Sequence, residues 1–322
     1  MVAISAMHIP DGFLSVPVAA LGWALLLAAA ALALRQTRDR LGERQVPLMG
    51  VLAAFVFAAQ MINFPVAGGT SGHLIGGALV AILLGPWAAV LVLTSVLAVQ
   101  GLLFQDGGLL AMGFNAFNMG VIAAFVGYGV YGWARRLLGD TPAGRLAGAA
   151  LGAWLSVMAA AAATALQLAL SGTVALEVAL PAMLAVHALI GAGEALITVG
   201  ALAFIRATRP DLIGAESGRG GAAGSGWVAA GLLIALAVAL ASPLADPNLD
   251  GLERVAEDHG FSAAAQDAPY SLIPDYAVPG IENGALATMA AGVIGVLVLA
   301  ALGWGLARAL RVRRRAPESA AP

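Results

Sequence analysis

The sequence predicts an all-α membrane protein whose helices cross the bilayer several times. Of its 322 residues, 61% are hydrophobic and only 11% are charged, whereas soluble domains carry roughly a quarter charged residues. Its apolar runs extend over about twenty residues, which is the length that an α-helix needs to cross a bilayer. These runs do not alternate polar and apolar residues, as the strands of a membrane β-barrel do. Spanning helices are therefore the predicted architecture.

Nine hydrophobic segments are predicted along the chain. The third is too short to cross a bilayer alone, and it ends at Gly85 and Pro86. We therefore predict a short or re-entrant helix there, shielded from lipid by its neighbours. The segments are Val16–Leu34, Pro47–Phe64, Leu74–Leu84, Trp87–Phe104, Phe114–Trp133, Leu146–Leu170, Leu180–Ile205, Trp227–Ala241 and Leu286–Leu306.

The arginines predict which way the protein sits in the cell (inner) membrane. The chain contains no lysine, and with the N-terminus outside, every arginine except Arg254 falls in a cytoplasmic segment. The positive-inside rule describes this imbalance, and an odd number of spans then places the C-terminus inside. The arginines assigned to the cytoplasm are Arg35, Arg38, Arg40, Arg44, Arg135, Arg136, Arg145, Arg206, Arg209, Arg219, Arg308, Arg311, Arg313, Arg314 and Arg315.

Two units are predicted within the chain. Residues 1–205 form a seven-helix bundle, and residues 227–322 form a two-helix module with an extracytoplasmic loop. Residues 206–226 are rich in glycine and are expected to be a flexible cytoplasmic linker. The extracytoplasmic loop is rich in carboxylates, so we expect it to be solvated, as we do its histidine, His259.

Two histidines fall in polar motifs on the predicted outer side. Residues Met7–Leu14 read Met-His-Ile-Pro-Asp-Gly-Phe-Leu and contain His8. Residues Gly68–His73 read Gly-Gly-Thr-Ser-Gly-His. Because each motif precedes a hydrophobic segment, both histidines are expected near the outer face of the bundle. Cysteine is absent, which excludes thiolate metal sites, disulfides and thiol catalysis.

These motifs resemble those of the CbiM/NikM S components, the substrate-binding subunits of energy-coupling-factor (ECF) transporters for cobalt and nickel. The resemblance covers residues 7–205, where Gly113–Gly120 and His187–Ala195 look like the family's fifth and seventh helices. The rest of the chain resembles a PDGLE-type (CbiN/NikN-like) module, at Leu249–Glu253 and Pro274–Gly280.

The resemblance implies a transport function and a set of partners. The chain is expected to capture Co(II) or Ni(II) outside the cell for ATP-driven uptake. The expected partners are a T-type membrane subunit (CbiQ/NikQ-like) and ATPase subunits (CbiO/NikO-like), besides the lipid bilayer. The sequence has no nucleotide-binding motif, so ATP hydrolysis is assigned to another polypeptide. Neither a resident cofactor nor a nucleic-acid partner is expected, and the chain is predicted not to be an enzyme.

The predicted metal ligands are Met7, His8 and His73. A histidine in second position offers the terminal amine, its own amide nitrogen and its imidazole, which close five- and six-membered chelate rings on one metal. His73 supplies a fourth nitrogen. Four nitrogens suit Ni(II), Cu(II) or low-spin Co(II) rather than Mg(II) or Ca(II). This chelate requires Met7 to be the first residue, so we expect a start at Met7, or less simply cleavage after Ala6.

Several other polar residues are candidates for supporting roles. Asn115 and Asn118 are candidates to orient the His73 ring through its other nitrogen, although they suit hydrogen bonds between helices equally well. Ser71 is a further candidate for supporting the ligands. His187 and Glu194 lie seven residues apart on one helix face. Because a lone ionisable group in lipid costs about 3 kcal/mol, we predict a buried polar pair rather than a metal site.

Two further hypotheses concern an interface and a rival function. Ala54 and Ala58 form a small-residue face of the kind that lets helices approach closely, and it is a candidate contact for the T-type subunit. The run Gly69–Gly72 resembles the serine motif of rhomboid intramembrane proteases, with Ser71 as nucleophile and His187 as base. The protease hypothesis leaves the Met7–Leu14 motif unexplained, so metal transport is the preferred prediction.

Overall fold

The computed structural model describes residues 7–38, 45–209 and 226–314, and it consists mainly of long helices packed side by side. A two-stranded antiparallel sheet joins β1 (Phe64–Val66) to β2 (Thr70–Gly72). The helices are α1 (Val16–Thr37), α2 (Gln45–Gln60), α3 (Gly77–Leu84), α4 (Pro86–Leu103), α5 (Met112–Ala116), α6 (Ala123–Leu138), α7 (Pro142–Leu170), α8 (Leu176–Thr208), α9 (Gly226–Leu240), α10 (Gly251–Asp258) and α11 (Gly284–Arg314).

The predicted all-α membrane fold is confirmed. Within the described ranges, each predicted hydrophobic segment coincides with a helix. A π-helical stretch, Phe117–Ile122, joins α5 and α6 into one span of 27 residues. Among the described residues, six spans are long and apolar enough to cross a membrane, and α2 and α9 are shorter apolar helices. The orientation of the chain in the membrane stays a prediction, and most of the predicted linker lies outside the described residues.

The short third segment forms an eight-residue helix, α3, because glycines interrupt the chain at both of its ends. Gly76 and Gly85 have φ values of 78° and 85°, which residues with a Cβ rarely adopt. Pro86 then starts α4. Residues Gly77–Leu83 are all buried, as expected for a short helix shielded from lipid.

A hairpin between α2 and α3 positions the second histidine motif. Gly68 and Gly69 both have positive φ and form the turn, and His73 follows β2 directly. Ser71 donates its backbone N–H to the carbonyl of Leu249 at 2.8 Å. The hairpin therefore contacts the C-terminal unit while it presents His73 to the bundle.

The C-terminal helices α9 and α11 pack against α2. The approach is close enough that a Cβ at Gly303 of α11 would lie 2.4 Å from the Cα of Gly50. Ala54 and Ala58 are both fully buried. Both alanines therefore lie inside the bundle in this arrangement, and the T-subunit contact at them stays a prediction that the described residues do not support.

The loop between α9 and α11 folds onto the end of the bundle instead of remaining a solvated strand of chain. It contains α10, which packs against α8. Its Phe261 makes an edge-to-face contact with Phe13, with ring centroids 5.3 Å apart. Gln266 donates its backbone N–H to the carbonyl of Asp11 at 2.8 Å. His259 is exposed, as expected, but much of the loop is part of the packed structure.

Candidate metal-capture site

Asp11 folds the N-terminal motif back against the bundle. Its carboxylate accepts the N–H groups of Leu109, Leu110 and Ala111, at 2.9, 2.8 and 3.1 Å. These groups directly precede α5, and the unpaired N–H groups at a helix start favour a carboxylate. Gly108 leaves the necessary room, since a Cβ there would lie 2.1 Å from Asp11 Oδ1. Asp11, three residues after His8, therefore fixes the position of the segment that carries His8.

Asn115 of α5 holds the backbone next to His8. Its Oδ1 accepts the N–H of Ile9 at 3.0 Å, and its Nδ2 donates to the carbonyl of Ile9 at 3.0 Å. A side-chain amide matches a peptide group in both directions, so one residue satisfies both atoms. The predicted contact of Asn115 with the ring of His73 is thus replaced by a contact with the segment that carries His8.

A buried carboxylate, Asp106, joins Met7 and His8. Its Oδ1 accepts the backbone N–H of Met7 at 3.0 Å and Nδ1–H of His8 at 2.8 Å. Its Oδ2 accepts the hydroxyl of Tyr276 at 2.5 Å. Burial by itself raises the pKa of Asp106, but the charge and hydrogen bond of His8 and the bond from Tyr276 bring that pKa below its usual value. The site therefore holds Asp106 in its charged form.

His73 lies across the same space from His8. The two ring centroids are 5.5 Å apart. His73 Nε2 lies 3.1 Å from the carbonyl oxygen of Met7, and Nδ1 lies 3.1 Å from that of Leu74. Burial lowers the pKa of His73, and the neighbouring His8 lowers it further. A low pKa keeps the imidazole neutral, which is the form that binds metals.

Glu194 of α8 fixes the turn that carries His73. Its fully buried carboxylate accepts the N–H groups of Ile75 and Gly76 at 2.6 and 2.8 Å. His187 instead donates Nδ1–H to the carbonyl of Met183, one turn earlier on α8, at 2.8 Å. The predicted His187–Glu194 pair is therefore not formed, because each side chain finds a nearer backbone partner.

A cavity of about 80 Å³ lies between these groups. His8, His73 and His187 line it, and Asp250 and Gly251 line it from the C-terminal unit. Pockets for organic ligands are several times larger, so this space suits an ion with few waters. The sequence predicted a metal site at His8 and His73. The structure places a third histidine, His187, in the wall of the same cavity.

The start of α10 closes one side of this cavity. Asp250 accepts the N–H of Glu253, and the Glu253 side chain accepts the N–H of Asp250, so the two form a capping box that stabilises the first turn. A Cβ at Gly251 would lie 2.8 Å from the ring of His187. The Asp-Gly-Leu-Glu motif therefore provides both a stable helix start and the close approach to His187.

Two other candidate residues bond away from the histidines. Asn118 exchanges hydrogen bonds with Gln167 of α7, both at 2.8 Å, so it links two helices instead of orienting a ligand ring. Ser71 donates its hydroxyl to the carbonyl of Asn248 at 2.8 Å. Because Ser71 and His187 each bond to a backbone carbonyl, they do not form the nucleophile–base pair of a protease.

Side chains alone do not complete a metal site in the described part of the chain. No group of three or more histidine, cysteine, aspartate or glutamate side chains there is arranged to hold a metal ion. A chelate that also uses backbone nitrogens would supply the ligands that the side chains lack. In such a chelate, the ring that includes the His8 amide nitrogen and imidazole is six-membered only if the imidazole binds through Nδ1. In the structure, this Nδ1 and the backbone nitrogen of Met7 both lie next to Asp106 Oδ1.

The family model of the cobalt uptake substrate-specific transmembrane region, CbiM, matches residues 8–212. The chain belongs to the CbiM family. A second model, of the PDGLE domain, matches residues 225–312. This CbiM-family chain is therefore a multi-pass membrane component of cobalt or nickel transport, with membrane partners, and not an enzyme.

Similar proteins include both fused and single-domain members of the CbiM family. The fused nickel transport protein NikMN of Rhodobacter capsulatus is 30% identical over 348 residues, covering 96% of this chain and 99% of the relative. The cobalt transport protein CbiM of Sorangium cellulosum is 38% identical, covering 64% and 94%. A crystal structure of a truncated transition metal transporter matches with a TM-score of 0.57 and 37% identity, covering 62% of this chain and 99% of that one.

Two residues of the candidate site were not predicted from the sequence. Asp106 lies in a short polar turn between α4 and α5, and its place at the predicted outer end of two spans was the available signal. Tyr276 carried no such signal, because nothing local relates it to His8. Its contact with Asp106 joins residues 170 positions apart.

Proposed function

We propose that this chain captures Co(II) or Ni(II) on the extracytoplasmic side of the inner membrane, as the S component of an ECF-type importer. The observation that carries the proposal is the convergence of Met7, His8 and His73 on one small cavity. The CbiM-family relatives, described as cobalt or nickel transport proteins, support the same class of cargo.

The proposed ligands are four nitrogens. In a chain beginning at Met7, these are the terminal amine, the amide nitrogen of His8, His8 Nδ1 and one ring nitrogen of His73. Met7 N and His8 Nδ1 both lie within 3.0 Å of a single atom, Asp106 Oδ1, so these two nitrogens are close enough to share one metal ion. Nitrogen donors of this kind suit both Co(II) and Ni(II), so the proposal covers both metals.

The position of the arginines at the helix ends supports the direction of capture. The cavity lies beside the start of α1, whereas Arg35 lies in the last turn of α1 and Arg135 in the last turn of α6. Arginine at the far ends supports an extracytoplasmic cavity and N-terminus with a cytoplasmic C-terminus. Import then depends on a CbiQ/NikQ-like T-type subunit and CbiO/NikO-like ATPases.

Replacing His73 tests the proposed ligand set. His73→Ala removes one of the four nitrogens, so we expect retention of Co(II) or Ni(II) by the purified chain to fall by about tenfold or more. His259→Ala is the matched control, because His259 is exposed on the loop and should leave metal content unchanged. Equal metal content in the His73→Ala and wild-type proteins would contradict the proposal.

A further inference from the structure

Tyr276 connects the C-terminal unit to the capture site through one buried carboxylate. Its hydroxyl donates to Oδ2 of Asp106, while Oδ1 accepts Met7 N–H and His8 Nδ1–H. Tyr276 is 6% exposed and Asp106 is 2% exposed, so water does not compete for these bonds. Three segments that are distant in the sequence therefore meet at a single side chain.

The ring of Tyr276 is held in place by its surroundings. It stacks on Phe104, with ring centroids 4.8 Å apart and an interplanar angle of 16°. The preceding residue, Asp275, donates its backbone N–H to the carbonyl of Phe104 at 3.1 Å. Asp275 and Tyr276 both have positive φ, 51° and 56°, which is uncommon for residues other than glycine. Packing against the end of α4 therefore imposes a backbone that directs this hydroxyl at Asp106.

We propose that Tyr276 is a positioning residue for metal capture, which fixes Asp106 so that Met7 N and His8 Nδ1 converge on one point. A carboxylate anchored at Oδ2 keeps Oδ1 in a defined place, and two nitrogens already close to one atom need little rearrangement to share a metal ion. The inference rests on the proposed function. The C-terminal unit contributes to the affinity of the site without supplying one of the four nitrogens.

Tyr276→Phe in the full-length chain tests this role, because it removes the hydroxyl and keeps the ring that stacks on Phe104. We expect the affinity for Co(II), measured by equilibrium titration with the metal itself, to fall about tenfold. Tyr270→Phe is the matched control. Tyr270 lies in the same loop, but its hydroxyl donates to the carbonyls of Gly101 and Leu102 at 3.2 and 3.0 Å, so its loss should leave the affinity unchanged.

A double substitution separates positioning from general docking of the loop. In an Asp106→Asn background, Tyr276→Phe should cause no further loss of affinity, because Tyr276 acts through Asp106. A further loss there would overturn the inference, as would equal losses in the two tyrosine variants or unreduced affinity in Tyr276→Phe. If Asp106→Asn does not accumulate, the comparison of the two tyrosine variants decides the matter. Failure of the wild-type chain to bind Co(II) or Ni(II) would instead overturn the proposed function.

Discussion

The segment Met7–Leu14 and the loop between α9 and α11 reach the same cavity from opposite ends of the sequence, but they contribute in different ways. The N-terminal segment brings two of the proposed ligands, Met7 and His8. The loop brings Asp250 and Gly251 to the cavity wall and anchors Asp106 through Tyr276. Ligands that lie together in a short motif are thus held by groups that only the folded chain brings near them.

The two regions contact each other closely at Gly12, and the largest effect is expected there. Gly12 has a φ of 89°, and a Cβ on it would lie 2.0 Å from the carbonyl oxygen of Ala264. Because backbone atoms cannot yield as side chains do, Gly12→Ala should separate the segment from the loop. We expect a loss of several kcal/mol in unfolding free energy and of most bound Co(II), measured by thermal unfolding in detergent and by metal analysis.

Gly260→Ala is the control for backbone strain alone. Gly260 lies in the same loop with a φ of 75°, and nothing stands within 4 Å of the position of its Cβ. The strain should cost about 1–2 kcal/mol and leave metal content near that of the wild type. Similar metal loss in both variants would contradict the close contact between the two regions.

Glu194→Gln changes the support of His73 without touching the C-terminal loop. A glutamine keeps one acceptor for the N–H groups of Ile75 and Gly76 but places an amide N–H₂ group against the other. Since Glu194 is fully buried, the turn must shift, and we expect Ni(II) retention to fall by about tenfold. Metal content would be compared with that of Glu177→Gln, an exposed glutamate at the start of the same helix. Retention of wild-type metal content by Glu194→Gln would show that this turn does not position His73.

Asp250→Asn changes the side of the cavity that the loop forms. It should have the smallest effect on stability, and this effect should appear only over a limited range of pH. Burial, together with the nearby charge of Asp106, raises the pKa of Asp250 from 3.8 to about 7. Between these values the folded protein holds a proton that the unfolded chain has lost, so stability falls as the pH rises from about 4 to about 7. Asparagine remains a good N-cap and does not ionise.

The expected result is that Asp250→Asn gains Tm relative to the wild type as the pH is raised from about 5 to about 8. Asp267→Asn, at an exposed position of the same loop, serves as the control and should follow the wild-type curve. Parallel curves for the wild type and Asp250→Asn would show that burial of this carboxyl does not oppose folding.

The same contrast explains how far the sequence could predict the structure. Local hydrophobicity predicts the membrane spans, and the residue types in the two short motifs predict His8 and His73 as ligands. Both features could therefore be predicted from the sequence. Ala54 and Ala58 mark a small-residue face on α2, but such a face does not specify which helix will cover it. The helices α9 and α11, which pack against α2, come from the other unit of the same chain.

The supporting polar contacts were harder to predict because each depends on which partner is nearest in space. His187 and Glu194 share a helix face, yet the carbonyl of Met183 and the N–H groups of a turn outside the helix are closer to them. The bond between Asp106 and Tyr276 joins residues 170 positions apart. No periodicity or motif spacing encodes a contact of that kind.

The chelate that begins at Met7 is tested most directly by comparing two full-length chains whose N-termini are verified by mass spectrometry. One begins at Met7, and the other retains Met1–Ala6. A peptide nitrogen at Met7 is a far poorer ligand than a free amine, and binding by the chelate requires loss of the His8 amide proton.

We predict that the chain beginning at Met7 binds Co(II) or Ni(II) with release of protons, and that the extended chain binds about tenfold more weakly or worse. Full metal binding by the chain that retains Met1–Ala6 would contradict the chelate.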